Sequence, residues 1–404
     1  VSERSLLQLG AGPMMVRSIQ LLRAAGWRVF TVDRDPHAPG FAFADGSAAI
    51  DIADVEGIVR YASEIRADVI LPVNDPGVLA AAEAAPRLGL RCVPLEVARR
   101  SVDKGLMRDC WAAAGLPQPR YQVVDDPGRI PAAAGEIGFP LVLKPALNWG
   151  SRGVSFVADP SALPWAIDFA HAHCRNGRYV VEAAIPGTEM TIEGLVQAGR
   201  PQVLAKSDKV PQPHPRYRVA TALNYPARFS AEQLRRADEV VARAALALGI
   251  RDGAFHCECM LNERGVFLLE MAARPGGGHI FGQIVEAVSG VSMPLALASI
   301  LLGEPVALTP RFQRGACYRF FAPPPGIFRA VRGLDEACRL PGVLDFGFSL
   351  EPGRVVGPVA SDADRPGFVV TRGETREEAM AVADRAIARL EFVMDPLPTP
   401  AQAR

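Results

Sequence analysis

Strand and helix alternate from the first residues of this chain, with glycine turns between them. Leu6-Leu7-Gln8-Leu9 reads as a short apolar strand and Gly10-Ala11-Gly12 as a tight turn. Met14 to Ala25 is helical by its apolar spacing, and Gly26 ends it. Trp27 to Asp33 is the next strand, and Val69 to Val73 and Leu90 to Val93 read as two more. Alternation of this kind implies a parallel, doubly wound sheet, so the fold class is α/β.

A length of 404 residues suggests two to three domains. The pattern places a first α/β domain at residues 1–97 and a helical linker carrying Lys104 at 98–119. A small α+β unit follows at 120–185, a larger α+β unit at 186–309 and a C-terminal α+β domain at 310–395. The proline-rich tail 396–404 is expected to be disordered. Within these units the pattern predicts a long helix from Ala231 to Leu248 and paired strands over Gly253–Leu261 and Gly265–Met271.

The formal net charge is zero, which leaves no basic footprint for nucleic acid. No apolar run is long enough to span a bilayer, and the first residues lack the regions of a signal peptide. Seven cysteines, an odd number, read as reduced thiols. A cytoplasmic enzyme without membrane or nucleic-acid partners is the expectation. Cys257 and Cys259 flank Glu258 in a strand, so they point to the face opposite it and read as core, not as a zinc pair.

Lysine is scarce: Lys104, Lys144, Lys206 and Lys209 are the only four among 44 basic residues. Where arginine serves almost everywhere, a retained lysine points to a site needing a compact ammonium, such as a phosphate site. Chance survival on the surface is the alternative. Lys144 ends the strand Leu141-Val142-Leu143-Lys144, and Gly150-Ser151-Arg152-Gly153 follows. A cation and flexible backbone N–H groups can fold over a polyphosphate, although the Gly-Lys-Ser/Thr order of a Walker A loop is missing. A plain hairpin loop is the alternative here.

Glu258 and Glu270 each sit in an otherwise apolar strand, and the turn Asn262-Glu263-Arg264-Gly265 makes these strands a hairpin. If both side chains share a face, two carboxylates meet in a semi-buried site, which is unfavourable unless a cation bridges them. Mg²⁺ suits such a pair together with substrate phosphates. Arg274 and Gly276-Gly277-Gly278 follow at once and form an anion site. A structural ion-pair network would explain the same residues. His256 shares a face with Glu258 and reads as a substrate contact or as a satisfied core histidine. His214 and Arg218 lie in a polar, proline-rich segment that could close over substrate. Asn74 and Asp75 follow a strand end, where open α/β sheets bind ligands; a helix N-cap is the alternative. Gly10-Ala11-Gly12 is only a partial dinucleotide fingerprint, because position 15 is Met15.

Taken in order, these motifs resemble the ATP-grasp superfamily over about residues 5–392. Ser101-Val102-Asp103-Lys104 resembles the lysine motif that opens the nucleotide site. Phe139 to Pro145, with Lys144, resembles the second nucleotide lysine, and the loop with Gly150, Ser151 and Gly153 resembles the lid over the phosphates. Val181 to Glu189 is similar to the hinge that reads adenine through Glu182, Ala183 and Ile185 and ribose through Glu189. Glu258 and Glu270 match the metal carboxylates, and Arg274 with Gly277 matches the group that steadies the acyl phosphate. The resemblance implies an ATP-grasp architecture: a doubly wound N-terminal domain, a small lid and a nucleotide/metal domain. It also implies ATP and Mg²⁺ as cofactors, with Mn²⁺ as a substitute ion.

Within the superfamily the chain looks most like carboxylate–amine ligases that join amino acids, with a biotin-carboxylase-like C-terminal domain. The partners implied are a small carboxylic acid and an amine, and a homodimer through the first and last domains. One departure stands out: many members carry Asn two residues after the second metal glutamate, where this chain has Ala272. Three alternatives remain at this point. They are a ligase activating bicarbonate or formate, a nicotinamide oxidoreductase built on Gly10 and Gly12, and a nucleotide-binding regulator without turnover.

Overall fold

The structure, a computed structural model, describes residues 4–397; most of the tail expected to be disordered lies outside the described residues. The chain divides into two compact units. The first holds the residues up to Tyr121, Ile185–Lys206 and Phe229–Gln313, and the second holds Gln122–Ala184, Ser207–Arg228 and the residues from Arg314 on.

The first unit opens with β1 (Arg4–Leu9), α1 (Val16–Ala24), β2 (Trp27–Asp33), β3 (Gly46–Ala49), α2 (Val55–Glu64), β4 (Val69–Pro72) and α3 (Asp75–Arg87). Helices α4 (Leu95–Val102) and α5 (Lys104–Ala113) follow. The four strands form a parallel sheet in the order β3-β2-β1-β4. Leu6, Leu7, Gln8 and Leu9 are all 0% exposed, on both faces alike, as a parallel strand covered by helices requires. The order reverses between β1 and β4, which makes their carboxyl ends the topological switch point of the sheet.

Leu90 to Val93, expected as a strand, is irregular. The Leu90 amide terminates α3 by donating to Ala85 O at 2.9 Å, and Pro94 caps α4. The apolar character of the segment is met by Leu90 and Cys92 packing on the core of the sheet. Two helix ends consume the short run, and no ladder forms.

The second unit begins with a small layer: β5 (Tyr121–Val124), α6 (Ile130–Ile137), β6 (Leu141–Pro145), β7 (Ser155–Val157), α7 (Leu163–His173) and β8 (Tyr179–Ala183). Its sheet runs β5-β8-β6-β7, with β6 antiparallel to both neighbours. The chain then forms β9 (Thr188–Gln197), β10 (Arg200–Pro211), β11 (Ala220–Tyr225), α8 (Ala231–Leu248), β12 (Gly253–Asn262), β13 (Gly265–Ala272), α9 (Val285–Ser289) and α10 (Met293–Leu302). Helix α8 has the bounds the periodicity predicts. Ser230 and Gln233 close its start as a capping box, and Gly249 ends it in the left-handed region.

The C-terminal part holds β14 (Gly315–Phe320), β15 (Gly326–Arg332), α11 (Leu334–Cys338), β16 (Val343–Phe348), β17 (Val355–Val356), β18 (Gly367–Gly373), α12 (Arg376–Ile387) and β19 (Glu391–Asp395). Eight strands share one sheet in the order β13-β12-β9-β10-β11-β14-β18-β16, and β17-β15-β19 form another. Strand β10 runs out of the first unit into the second. Among the described residues no single helix is long and apolar enough to cross a membrane.

Arg108 on α5 is fully buried, and its guanidinium donates to Leu268 O at 3.1 Å and Leu269 O at 2.8 Å. These carbonyls lie at a bulge in β13, where Glu258 faces Glu270 but the next residue, Cys259, faces Leu268. The bulge frees carbonyls from the ladder, and Arg108 satisfies them. Arg108→Met is therefore expected to lower unfolding free energy by about 2–3 kcal/mol, read by urea denaturation. A loss below about 0.5 kcal/mol would mean that the bulge does not depend on Arg108.

Candidate active site

In the first unit the site grows from one helix start and one hairpin. Asp103 caps α5 by accepting from Gly105 N at 2.8 Å and Leu106 N at 3.0 Å. The cap sets Lys104 at the first helical position, where its side chain is 5% exposed and its Nζ lies 3.1 Å from Glu270 Oε1. In the β12–β13 hairpin Glu258 is registered directly opposite Glu270, so both carboxylates stand on one face. Cys257 and Cys259 point to the other face and are 0% exposed, as core.

His256 shares the face of Glu258. Across one edge it faces Ala272, the position where an asparagine was expected, and across the other it faces Glu193 of β9. Its Nδ1 lies 2.5 Å from Glu193 Oε1, and its Nε2 lies 3.6 Å from Glu258 Oε1. Burial works against a charge on this ring, but the Glu193 carboxylate, and after it Glu258, push its pKa up to about 9. His256 is therefore an imidazolium near neutral pH.

Arg274 reaches the switch point of the parallel sheet. Its Nε donates to Asp75 Oδ1 at 3.2 Å and its Nη2 to Asp75 Oδ2 at 2.7 Å, a two-pronged pair at the first turn of α3. Nη1 donates to Pro275 O at 3.0 Å. Asp75 and the other carboxylates hold the guanidinium pKa above its ordinary value in spite of burial. Asn74 is the N-cap of α3: its Oδ1 accepts from Gly77 N at 2.8 Å and its Nδ2 donates to Leu9 O at 3.2 Å. The capping alternative holds for Asn74, while Asp75 anchors Arg274. The Gly276 amide donates to Glu193 Oε2 at 3.0 Å. Ile185 and Glu189 also belong to this unit, and Glu189 is registered opposite Met260 on β12.

The donor set around the two carboxylates can be compared with what metals require. Among the described residues no group of three or more His, Cys, Asp or Glu is placed to hold a metal ion. Two oxygen donors on one face are too few for zinc but fit Mg²⁺, which completes its shell with phosphates and water.

The second unit carries the other predicted residues. Lys144 and Glu182 form a buried pair at 2.6 Å, with side chains 7% and 4% exposed. Antiparallel register places Val142 opposite Glu182, so the lysine reaches it diagonally across β6 and β8. The glutamate expected on the adenine side is thus committed to Lys144. The loop after β6 has Gly150, Ser151 and Gly153 at φ of 67°, 59° and 76°. Ser151 is a non-glycine residue in the left-handed region, a conformation that surrounding structure must hold. A Cβ on Gly153 would lie 2.8 Å from His173 Cβ, so only glycine fits. His214 is occupied within its own loop, and Arg218 both there and on β7. His214 stacks on Tyr217 at 4.5 Å, and Arg218 lies 4.0 Å over Phe156 and donates to His214 O.

A buried ion pair predicts its own test. Lys144→Met takes the ammonium away from the buried Glu182 carboxylate, and is expected to cost about 3–5 kcal/mol. Adding Glu182→Gln should recover most of that loss, because neither charge then remains. Thermal unfolding of the two variants reads this difference, and equal melting temperatures would overturn it.

Glu193 is the residue missed at the sequence level. It stands in β9 among buried neighbours Met190, Ile192 and Leu195 and is itself 0% exposed. A charge inside an apolar strand is the signal that singled out Glu258 and Glu270, and it was present here too.

A family model described as an ATP-grasp domain matches residues 137–283, and another described as L-amino acid ligase C-terminal domain 2 matches residues 319–395. An uncharacterized protein, y4rH, of Sinorhizobium fredii is 29% identical over 299 residues, covering 73% of this chain and 61% of that protein. A formate-dependent phosphoribosylglycinamide formyltransferase of Chlorobaculum tepidum is 26% identical over 97% of this chain and 98% of its own. The crystal structure of an L-amino acid ligase from Bacillus licheniformis superposes with a TM-score of 0.83 at 21% identity, over 97% of this chain and 99% of that one. Residues 137–283 thus match an ATP-grasp domain, and over nearly its whole length the chain is similar to ATP-grasp ligases that form carbon–nitrogen bonds.

Proposed function

We propose that this ligase joins two amino acids through an acyl phosphate. The observation that carries the reading is the state of the switch point, where a substrate of an open α/β sheet binds. A phosphoribosyl substrate would bring a phosphate there, and a phosphate needs free N–H donors. Gly10 N already donates to Val32 O at 2.9 Å, Ala11 N to Asp33 Oδ2 at 3.0 Å, and Pro13 has no N–H. Asp33 and Asp75 add negative charge. Such a rim disfavours a phosphate and suits an ammonium group. The L-amino acid ligase match over residues 319–395 points the same way.

In this reading Lys104 of the first unit is a phosphate contact, and in the second unit Lys144 and the N–H groups of Gly150, Ser151 and Gly153 are phosphate contacts. Ala183 and Ile185 offer backbone groups to adenine, and Glu189 accepts from ribose. Glu258 and Glu270 would hold Mg²⁺, which would neutralise charge on the ATP phosphates. The substrate carboxylate oxygen attacks the γ-phosphorus in line, the β–γ bridging bond breaks and ADP leaves. Arg274 and the N–H groups of Gly277 and Gly278 stabilise the oxyanion as the amine adds to the acyl carbon. The amine then loses a proton, and phosphate departs as the amide forms.

The test is phosphate release from MgATP against L-amino acids, singly and in pairs, with mass spectrometry of products. Release that requires amino acids, with a product mass equal to two substrates less water, is expected. Release only with formate or bicarbonate plus an amine would move the protein to that class of ligase.

A further inference from the structure

Glu193 is a fully buried carboxylate that none of the roles above uses. Burying a charge is costly, and a hydrophobic residue of similar volume is often at least as stabilising. A buried carboxylate that nevertheless makes two directed contacts has a task in arranging its partners. One oxygen faces His256 Nδ1 at 2.5 Å, and the other accepts from the Gly276 amide at 3.0 Å. These contacts join two separate pieces of the site. His256 stands beside the Glu258 carboxylate, and Gly276 opens the glycine run after Arg274.

The approach at Gly276 leaves no room for a side chain. A Cβ there would lie 2.7 Å from both Glu193 oxygens, whereas a Cβ at Gly277 would meet nothing within 4 Å. Glu193 thus clamps the first glycine of the run and leaves the second facing open space. We propose that Glu193 is a positioning residue of the ligase. One carboxylate fixes both the imidazole of His256 and the glycine run beside Arg274, so that the acyl phosphate is held for the amine and kept from water. The proposal rests on the ligase reading above and holds for whichever acid is activated.

A positioning role of this kind has a signature that loss of stability alone does not produce. If the run shifts, phosphoryl transfer still occurs but the intermediate escapes to water. The measurement is the ratio of ADP released to amide formed, by the full-length protein with MgATP and its acid and amine. Wild type is expected near one ADP per amide. Glu193→Gln, which keeps shape and volume, is expected to raise the ratio severalfold and lower amide turnover by about 10–100-fold, the range for supporting residues. The affinity for ADP should stay within about twofold.

Gly276→Ala, which presses a methyl group onto the carboxylate, is expected to uncouple in the same way. It keeps the proposal testable if the Glu193 variant does not fold. Coupled turnover within about threefold of wild type in either folded variant overturns the proposal and leaves the ligase reading intact. A wild-type protein that releases no ADP with any acid and amine overturns the ligase reading itself.

Discussion

Glu258→Gln is expected to lower turnover by on the order of 10³-fold or more with little change in the melting temperature. The two halves of this result have separate causes. Glu258 and Glu270 are directly opposed across the hairpin, and like charges so placed repel each other. Neutralising Glu258 relieves that repulsion and gives up the 3.6 Å contact to the His256 ring, so in the protein without ligands the two changes offset. In the proposed reaction catalysis loses one of the two carboxylates that would hold Mg²⁺, and phosphoryl transfer would depend on that charge neutralisation.

Glu270→Gln makes the informative contrast. It should be equally inactive but less stable, because the buried Lys104 ammonium loses its carboxylate 3.1 Å away. Steady-state phosphate release and thermal unfolding of both variants check the pair. Full activity of Glu258→Gln would remove the metal assignment, and a melting temperature equally lowered in both would remove the charge argument.

Arg274→Lys is the second large effect, with kcat expected to fall by about 10²–10³-fold, as when an oxyanion donor is lost. Charge is conserved, so the loss isolates geometry. Arg274 is held by two parallel contacts to Asp75, and a lysine ammonium cannot meet both oxygens in that fork. Asp75→Asn should show a milder loss in kcat, because Arg274 keeps its charge but loses its charged anchor. The KM for ATP should hardly change in either variant, since neither residue is assigned to the nucleotide. A kcat for Arg274→Lys within about threefold of wild type would place Arg274 outside the chemistry.

The ammonium of Lys104 and the carboxylates of Glu258 and Glu270 were legible in the sequence because each breaks a local pattern. A lysine survives among arginines, and a glutamate interrupts an apolar strand. Asp103 before Lys104, and Ser230 and Gln233 around the start of α8, are local signals as well, since capping acts within one helical turn. Periodicity likewise gave the bounds of α8 and the pairing of β12 with β13. The run Leu90 to Val93 misled, because four apolar residues fit a strand and a core-packed connection equally well.

Residue order alone thus determined the alternation of strand and helix in the first domain, the helix start that carries Lys104 and the hairpin that sets two glutamates side by side. These rest on interactions between residues near in sequence. Tertiary structure decided the pairing of Arg274 with Asp75, of Lys144 with Glu182, and of Glu193 with His256 and Gly276. Each joins residues far apart in the chain. A buried charge takes whatever partner the packing of strands brings within hydrogen-bond reach, and nothing in the local pattern names that partner.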